Sequence, residues 1–330
     1  MSKVLSISVA AYNVGNYIGN LVMSISKSKV LDDIQLIIVN DGSVDNTRDI
    51  VNDLCNQFNF ITFIDKENGG YGSTLNAALN VAEGKYFKAL DGDDQFDDKH
   101  LDEFVEYLKK ADSDIVLTPF ERFYNSTNKY ELIDRHPINS ESVNVNNCNL
   151  DAIDDIYLTE LCVKTSILKL NHVHISERCF YTDNELVFYS VLYSRTYSKF
   201  PKVVYIYNIG VEGQSVSTKG REKHYKDSEL VLKKLLTCYK ESEKNLPYNL
   251  KQSLYHMIYN LALFQYQNYL IIKAPNKRSK LIDFDIYIKK SSDRLYNDLS
   301  SYKLLHFMRK THFHCLNILG NREKRKLSKL

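Results

Sequence analysis

The chain has 330 residues, 44% hydrophobic and 25% charged, with a formal charge of +2. That composition excludes wholesale disorder and gives no global field that would select nucleic acid. Cys55, Cys148, Cys162, Cys179, Cys238 and Cys315 form no C-x-x-C pair, which argues against structural zinc or a disulfide framework and fits reduced thiols in a cytoplasm. No apolar stretch approaches the ~20 residues of a membrane span, and MSKVLSISVAAYN lacks the apolar core of a signal peptide.

The first half alternates short apolar runs with helical patterns, as βαβ units and a mainly parallel sheet require. Strands are expected at Val4–Ala10, Gln35–Val39, Ile61–Ile64, Tyr86–Leu90 and Asp114–Thr118. Helices are expected at Tyr17–Ser26, Asn46–Phe58, Ser73–Ala82 and Lys99–Lys110. From Phe120 to Leu150 the sequence turns polar and Asn-rich and reads as a long irregular segment over a binding site. Helical period resumes over Ile153–Leu170 and Asn184–Tyr193, and His172 and His174, two apart, read as one side of a strand. Beyond Ser217 everything reads as helix: Glu229–Glu243, Pro247–Lys273 and Asp283–Leu299. The expected division is therefore residues 1–217 as an α/β domain and residues 218–330 as a helical region with a basic tail.

Three segments concentrate chemistry. In GKYFKALDGDDQFDD a strand runs into Asp91, Asp93 and Asp94, with Gly92 at the bend and Asp97 beyond. Carboxylates at the carboxyl end of a parallel strand face the ligand crevice of an open sheet, and their mutual repulsion calls for a divalent cation, Mg²⁺ or Mn²⁺. A solvated acidic turn is the other reading of that spacing. In QLIIVNDGSVDNT a second strand ends at Asn40 and Asp41, with Ser43 or Asp45 as the cap of the next helix. In ENGGYGSTLNAAL, Gly69, Gly70 and Gly72 precede a helix whose N-terminus favours phosphate. No G-K-[ST] follows, so this is not a P-loop, and the absence of G-x-G-x-x-G after the first strand disfavours a dehydrogenase.

Together these motifs resemble family 2 glycosyltransferases over about the first 217 residues. SVAAYNVGNYI is similar to that family's first strand and nucleotide loop, with Ala11 where Pro is more usual and Tyr12 placed to stack on the base. The resemblance implies a GT-A type α/β fold, a mainly parallel sheet flanked by helices. It also implies donor contacts from Ala11, Tyr12, Asn13, Asp41, Asn68, Gly70, Asn76, Asp91 and Gly92. Asp41 would take the uracil contact and Asp91 the ribose side, with Asp93 on the metal and Asp94 as an alternative ligand. Leu75 stands where the family often has Arg. YTDNELVFYSVL resembles the acidic motif ahead of a helix, which makes Asp183 the catalytic base. Thr182 and Glu185 have the spacing of a capping box, so Glu185 reads as a cap. GVEGQSVS resembles a segment in which Gln214, Ser215 and Ser217 line the diphosphate or acceptor.

The expected activity is inverting transfer of a sugar from a nucleotide-sugar, with UDP as the nucleotide, to a hydroxyl of a glycan or lipid-linked acceptor in cell-surface polysaccharide synthesis. The alternatives are a non-catalytic nucleotide-sugar binding module and a sugar-1-phosphate nucleotidyltransferase. The latter would carry Arg or Lys in a Gly-rich loop after the first strand, and AAYNVGNYI has neither. From Tyr302 onward, eight Lys or Arg stand against one Glu. Leu304, Leu305, Met308, Cys315, Leu316 and Leu319 recur at helical spacing, an amphipathic pattern that suits peripheral contact with an anionic inner leaflet.

Overall fold

The computed structural model describes residues 3–135, 143–144, 156–210 and 217–327. Its internal contacts divide the chain into two compact units, Met1–Val211 with Glu243–Leu254, and Glu212–Ser242 with Tyr255–Leu330.

The first unit opens with β1 (Leu5–Ala11), α1 (Gly15–Ser26), β2 (Ile34–Asp41), α2 (Thr47–Gln57), β3 (Ile61–Lys66), α3 (Tyr71–Val81) and β4 (Tyr86–Asp91). β1 pairs in parallel with β2 on one side and β4 on the other, and β2 pairs with β3. Central parallel strands are covered on both faces, so they read as unbroken apolar runs; all eight residues of β2 are buried. α1 buries Ile18, Leu21, Val22 and Ile25, one helical stripe laid on that sheet. Each such side chain taken from water contributes about 1.5–3 kcal/mol.

The chain continues through β5 (Gln95–Phe96), α4 (Leu101–Lys110), β6 (Ile115–Leu117), β7 (Phe120–Tyr124), β8 (Lys129–Ile133), β9 (Val143–Asn144), β10 (Leu161–Lys164), α5 (Thr165–Leu170), α6 (Asp183–Tyr193), β11 (Thr196–Lys199) and β12 (Tyr205–Ile209). The large sheet has the order β3-β2-β1-β4-β10-β6-β11-β9, and a small sheet has the order β5-β12-β7-β8. Strand order, parallel core and flanking helices make this the expected α/β fold.

Three local expectations are corrected. The stretch expected to be irregular from Phe120 contains the antiparallel hairpin β7–β8, its strands masked by aromatic and charged residues that alternate on a half-solvated face. The helix expected over Ile153–Leu170 is strand β10, antiparallel to both β4 and β6, followed by the short α5. His172 and His174 lie in the turn after α5 and not on a strand; His172 has φ +49°.

The second unit carries α7 (Thr218–Ser242), most of α8 (Tyr248–Ile271), α9 (Lys277–Ser291), α10 (Asp293–Ser300), α11 (Lys303–Lys310) and α12 (Leu316–Leu327). Its interior holds a polar network in which Arg221 Nε donates to Asn268 Oδ1 at 2.8 Å and Asn268 donates to Ser228 Oγ at 2.9 Å. The tail is not the continuous amphipathic helix that its periodicity suggests. His312 and Phe313 adopt positive φ between α11 and α12, and Leu305, Met308, Phe313 and Leu316 are buried. Of the apolar stripe, Leu305, Met308 and Leu316 are buried, while Leu304, Cys315 and Leu319 are half-buried. Among the described residues, no helix is long and apolar enough to cross a membrane.

Candidate active site

The carboxyl ends of β1, β2 and β4 lie side by side in register, which gathers residues 11–15, Asp41 and Asp91 at one edge of the sheet. Ala11 is buried in the core, whereas Tyr12 in the loop that follows is 52% exposed. Asn13 sits at φ +54°. Its N–H donates to Ser43 Oγ at 3.0 Å, and its Oδ1 accepts from Val44 N at 2.9 Å. Asp45 accepts from Gly15 N and from both the N–H and hydroxyl of Thr47, tying the starts of α1 and α2 together. The DGSVDNT motif thus walls the loop between β1 and α1. Ser43 makes no cap bond; the N-cap of α2 is Asn46, while Asp45 serves the first N–H of the helix.

Asp41 is 3% exposed. Its Oδ1 accepts from Lys66 Nζ at 2.7 Å, Gly69 N at 2.8 Å and Ser73 Oγ at 3.3 Å, and its Oδ2 accepts from Gly70 N at 2.8 Å. Asn68 donates to the Asp41 carbonyl at 2.9 Å. The carboxylate therefore shapes the glycine loop at the start of α3. Gly70 has φ +82°, and a Cβ there would stand 3.2 Å from the Arg178 backbone, so no side chain fits. Asn76 also holds structure: its amide exchanges bonds with both backbone groups of Ile175 and donates to Glu177 Oε1 at 3.0 Å.

At the end of β4 the arrangement differs. Gly92 donates to the Ala10 carbonyl at 3.1 Å, and a Cβ there would lie 2.6 Å from that oxygen, so the turn is drawn tight against β1. Asp91, Asp93 and Asp94 each present a carboxylate oxygen within 4.8 Å of the others. Asp94 is buried and held: Tyr205 Oη donates to its Oδ2 at 2.6 Å and Asn208 N to its Oδ1 at 2.8 Å. Asp91 Oδ1 is buried and meets no partner at full hydrogen-bond geometry, while the Tyr71 hydroxyl beside it favours the ionised carboxylate. Burial first, then the charge of Asp93, raises the Asp91 carboxyl to about 7. Burial also raises Asp93. Asp94 is pushed well up by burial and by both neighbouring carboxylates, against the opposing bonds from Tyr205 and Asn208. Hard oxygen donors, crowded and under-neutralised, fit Mg²⁺ or Mn²⁺. Asp97 stands apart, accepting from Lys99 N at 2.9 Å and bonded to His100 Nδ1 at 3.0 Å.

Asp183 opens α6, and its charge raises both Asp91 and the Tyr71 hydroxyl. Burial raises its own carboxyl, partly offset by bonds from Asn184, whose Nδ2 donates to Oδ1 at 3.2 Å. The capping box expected between Thr182 and Glu185 does not form. Thr182 makes no cap bond because it has helical φ and ψ, and Glu185 Oε2 accepts instead from Ser176 N at 2.9 Å. Gln214 and Ser215 lie outside the described residues. Sequence reasoning missed Tyr71, Lys66, Tyr205 and Asn208. Tyr71 had one signal, its place directly after a glycine pair at a helix start; Tyr205 and Asn208 meet Asp94 across more than a hundred residues and had none.

The sequence profile of Glycosyl transferase family 2 matches residues 6–174. The uncharacterized glycosyltransferase MG060 of Mycoplasma genitalium is 33% identical over 118 residues, 34% of this chain and 40% of that protein. The minor teichoic acid biosynthesis protein GgaB of Bacillus subtilis is 26% identical over 259 residues, 76% of this chain and 28% of that protein. The chain thus spans less than half the length of these curated relatives. S. aureus TarS 1-349 in complex with UDP-GlcNAc superposes with a TM-score of 0.68 at 19% identity, covering 99% of this chain and 90% of that one, which shows a shared fold. With the profile spanning more than half of the chain and its motifs arrayed along one sheet edge, this protein belongs to Glycosyl transferase family 2.

Proposed function

We propose that the chain transfers one sugar from a UDP-sugar to a hydroxyl of a glycan or lipid-linked acceptor, with inversion, in the synthesis of a cell-surface polysaccharide or glycoconjugate. The observation that carries this reading is the cluster of Asp91, Asp93 and Asp94 at the carboxyl end of β4, with the charge of Asp183 felt at Asp91. Similarity to GgaB and to TarS supports the donor and acceptor classes.

Tyr12 offers its exposed ring to the base, and the loop fixed by Asp41 turns the start of α3 toward the donor. Asp93 and Asp91 would hold Mg²⁺ or Mn²⁺, with Asp94 completing the set while anchored by Tyr205 and Asn208. Such an ion, when bound, supplies positive charge against the diphosphate leaving group. Asp183 removes the proton from the acceptor hydroxyl as that oxygen attacks the anomeric carbon, and its raised affinity for a proton suits a general base. Attack on the face opposite the leaving group inverts the centre and needs no covalent intermediate. The described cysteines are free thiols, which supports a reducing, cytoplasmic location. Peripheral contact with an anionic membrane face would rest on basic side chains of the tail, because Leu305, Met308 and Leu316 are buried.

UDP release from a panel of UDP-sugars, with Mn²⁺ and again with EDTA, tests the reading. Metal-dependent UDP release with one donor is expected. Pyrophosphate release would indicate a nucleotidyltransferase, and binding without turnover a non-catalytic module.

A further inference from the structure

The loop that leads into Asp183 is held from two sides. On α3, Asn76 takes both backbone groups of Ile175: its Nδ2 donates to the carbonyl at 2.9 Å and its Oδ1 accepts from the N–H at 2.9 Å. The same Nδ2 donates to Glu177 Oε1 at 3.0 Å, so both amide hydrogens of Asn76 are given to this loop. Between those two residues, the Ser176 N–H donates to Glu185 Oε2 on α6 at 2.9 Å. Three successive residues therefore tie the helix that starts in the glycine loop to the helix that starts with Asp183.

The contact is close along its length. A Cβ on Gly72 would stand 2.0 Å from the Ser176 carbonyl oxygen, and the Arg178 N–H donates to the Gly69 carbonyl. Arg178 and Tyr181 adopt φ of +52° and +66°, a region that residues other than glycine hold only where their surroundings impose it. The chain then passes through Thr182, which is fully buried, into α6. A loop bent twice into an uncommon backbone conformation keeps its path only while it is clamped. The direction in which Asp183 leaves that loop depends on the clamp.

We infer that Asn76 is a positioning residue for the base: through Ile175 and Glu177 it fixes the loop that sets Asp183 at the start of α6. Its loss slows the step in which Asp183 acts and leaves the hold on the nucleotide unchanged. This inference rests on the reading of Asp183 as general base in the proposed function.

Asn76→Ala removes all three bonds. The rate of UDP release from the preferred UDP-sugar and the calorimetric Kd for UDP, both with Mn²⁺, are measured on the wild type, Asn76→Ala, Asp183→Asn and the double variant. Asn76→Ala should lower kcat about ten- to hundredfold, as a displacement of about 1 Å near the reacting atoms does. Its Kd for UDP should stay within about twofold of the wild type, and in the Asp183→Asn background the same substitution should change the residual rate by less than about twofold. A base that has been removed cannot be misplaced, whereas a residue that serves only the fold would lower the rate by the same factor in both backgrounds. Losses that multiply in this way, an unchanged kcat, or a loss of UDP affinity equal to the loss of rate would overturn the inference. Asn76→Asp keeps the acceptor for the Ile175 N–H but cannot donate, and it carries the same cycle should Asn76→Ala fail to fold. A wild type that releases UDP from no UDP-sugar, or an Asp183→Asn variant of wild-type rate, would overturn the underlying reading and this inference with it. Failure of the inference alone leaves both of those results as expected.

Discussion

Two neighbouring strand ends, β2 and β4, both finish in aspartate, and the two carboxylates have opposite fates. Asp41 at the end of β2 accepts from Lys66, Gly69, Gly70 and Ser73, and its charge is paired within the protein. Asp91 at the end of β4 has the Tyr71 hydroxyl beside it, no cation of the protein against it, and stands among like charges. A carboxylate paired in this way shapes the loop around it. One that stands among like charges raises the energy of the empty site, and a cation arriving there lowers it. On the proposed function the contrast puts loop-building at β2 and chemistry at β4, although the two motifs look alike in sequence.

The sharpest way to break that contrast is at the groups on the chemical side. Asp183→Asn keeps size and helix start but cannot take a proton, so transfer should fall by about 10²–10⁴-fold while UDP binding measured by calorimetry survives. If Glu185→Gln abolishes transfer and Asp183→Asn does not, the base has been placed on the wrong carboxylate. Asp93→Asn should lower turnover by about 10²–10³-fold with the melting temperature preserved, since the side chain serves charge and not packing. Full activity of that variant, or of the wild type in EDTA, would remove the metal from the account.

A smaller effect sharpens the same comparison through pH. The Asp91 carboxyl is held at about 7 against an ordinary 3.8, so the folded chain binds its proton more tightly than the unfolded chain does. Its contribution to stability is present below about 3.8 and is lost as pH rises through about 7. A cation competes with that proton, so Mn²⁺ should raise the melting temperature by a few degrees at pH 8 and by little at pH 5. An Mn²⁺ shift that is equal at both values would argue that these carboxylates are not the ligands.

How far the sequence could be read follows the same physics. β1, β2 and β4 were legible because strands buried on both faces become runs of Ile, Val and Leu, and the acidic and glycine motifs mark their ends. β10 was not, because four residues inserted antiparallel between β4 and β6 have no period of their own that separates them from α5. The hairpin β7–β8 was hidden by half-exposed strands such as FERFY and KYELI. In the site, Asp91, Asp93, Asp94 and Asp183 could be named from motifs. What each carboxylate touches could not: the anchoring of Asp94 by Tyr205, and of Asp41 by the glycine loop, are contacts made only when distant segments meet. The tail shows the converse, since half of a stripe with helical spacing, Leu305, Met308 and Leu316, is buried.

The central claim is the division of labour between the two strand ends, and Asp41→Asn set beside Asp91→Asn tests it most directly, with melting temperature and transfer rate measured on both. Asp41→Asn leaves Lys66 and the glycine N–H groups poorly matched, so it should lose about 2–4 kcal/mol of stability, read as a lower melting temperature. Asp91→Asn relieves a buried like-charge cluster, so it should melt no lower than the wild type while transfer falls by about 10²-fold or more. The reverse outcome, a stable but inactive Asp41→Asn and an unstable but active Asp91→Asn, would contradict the account.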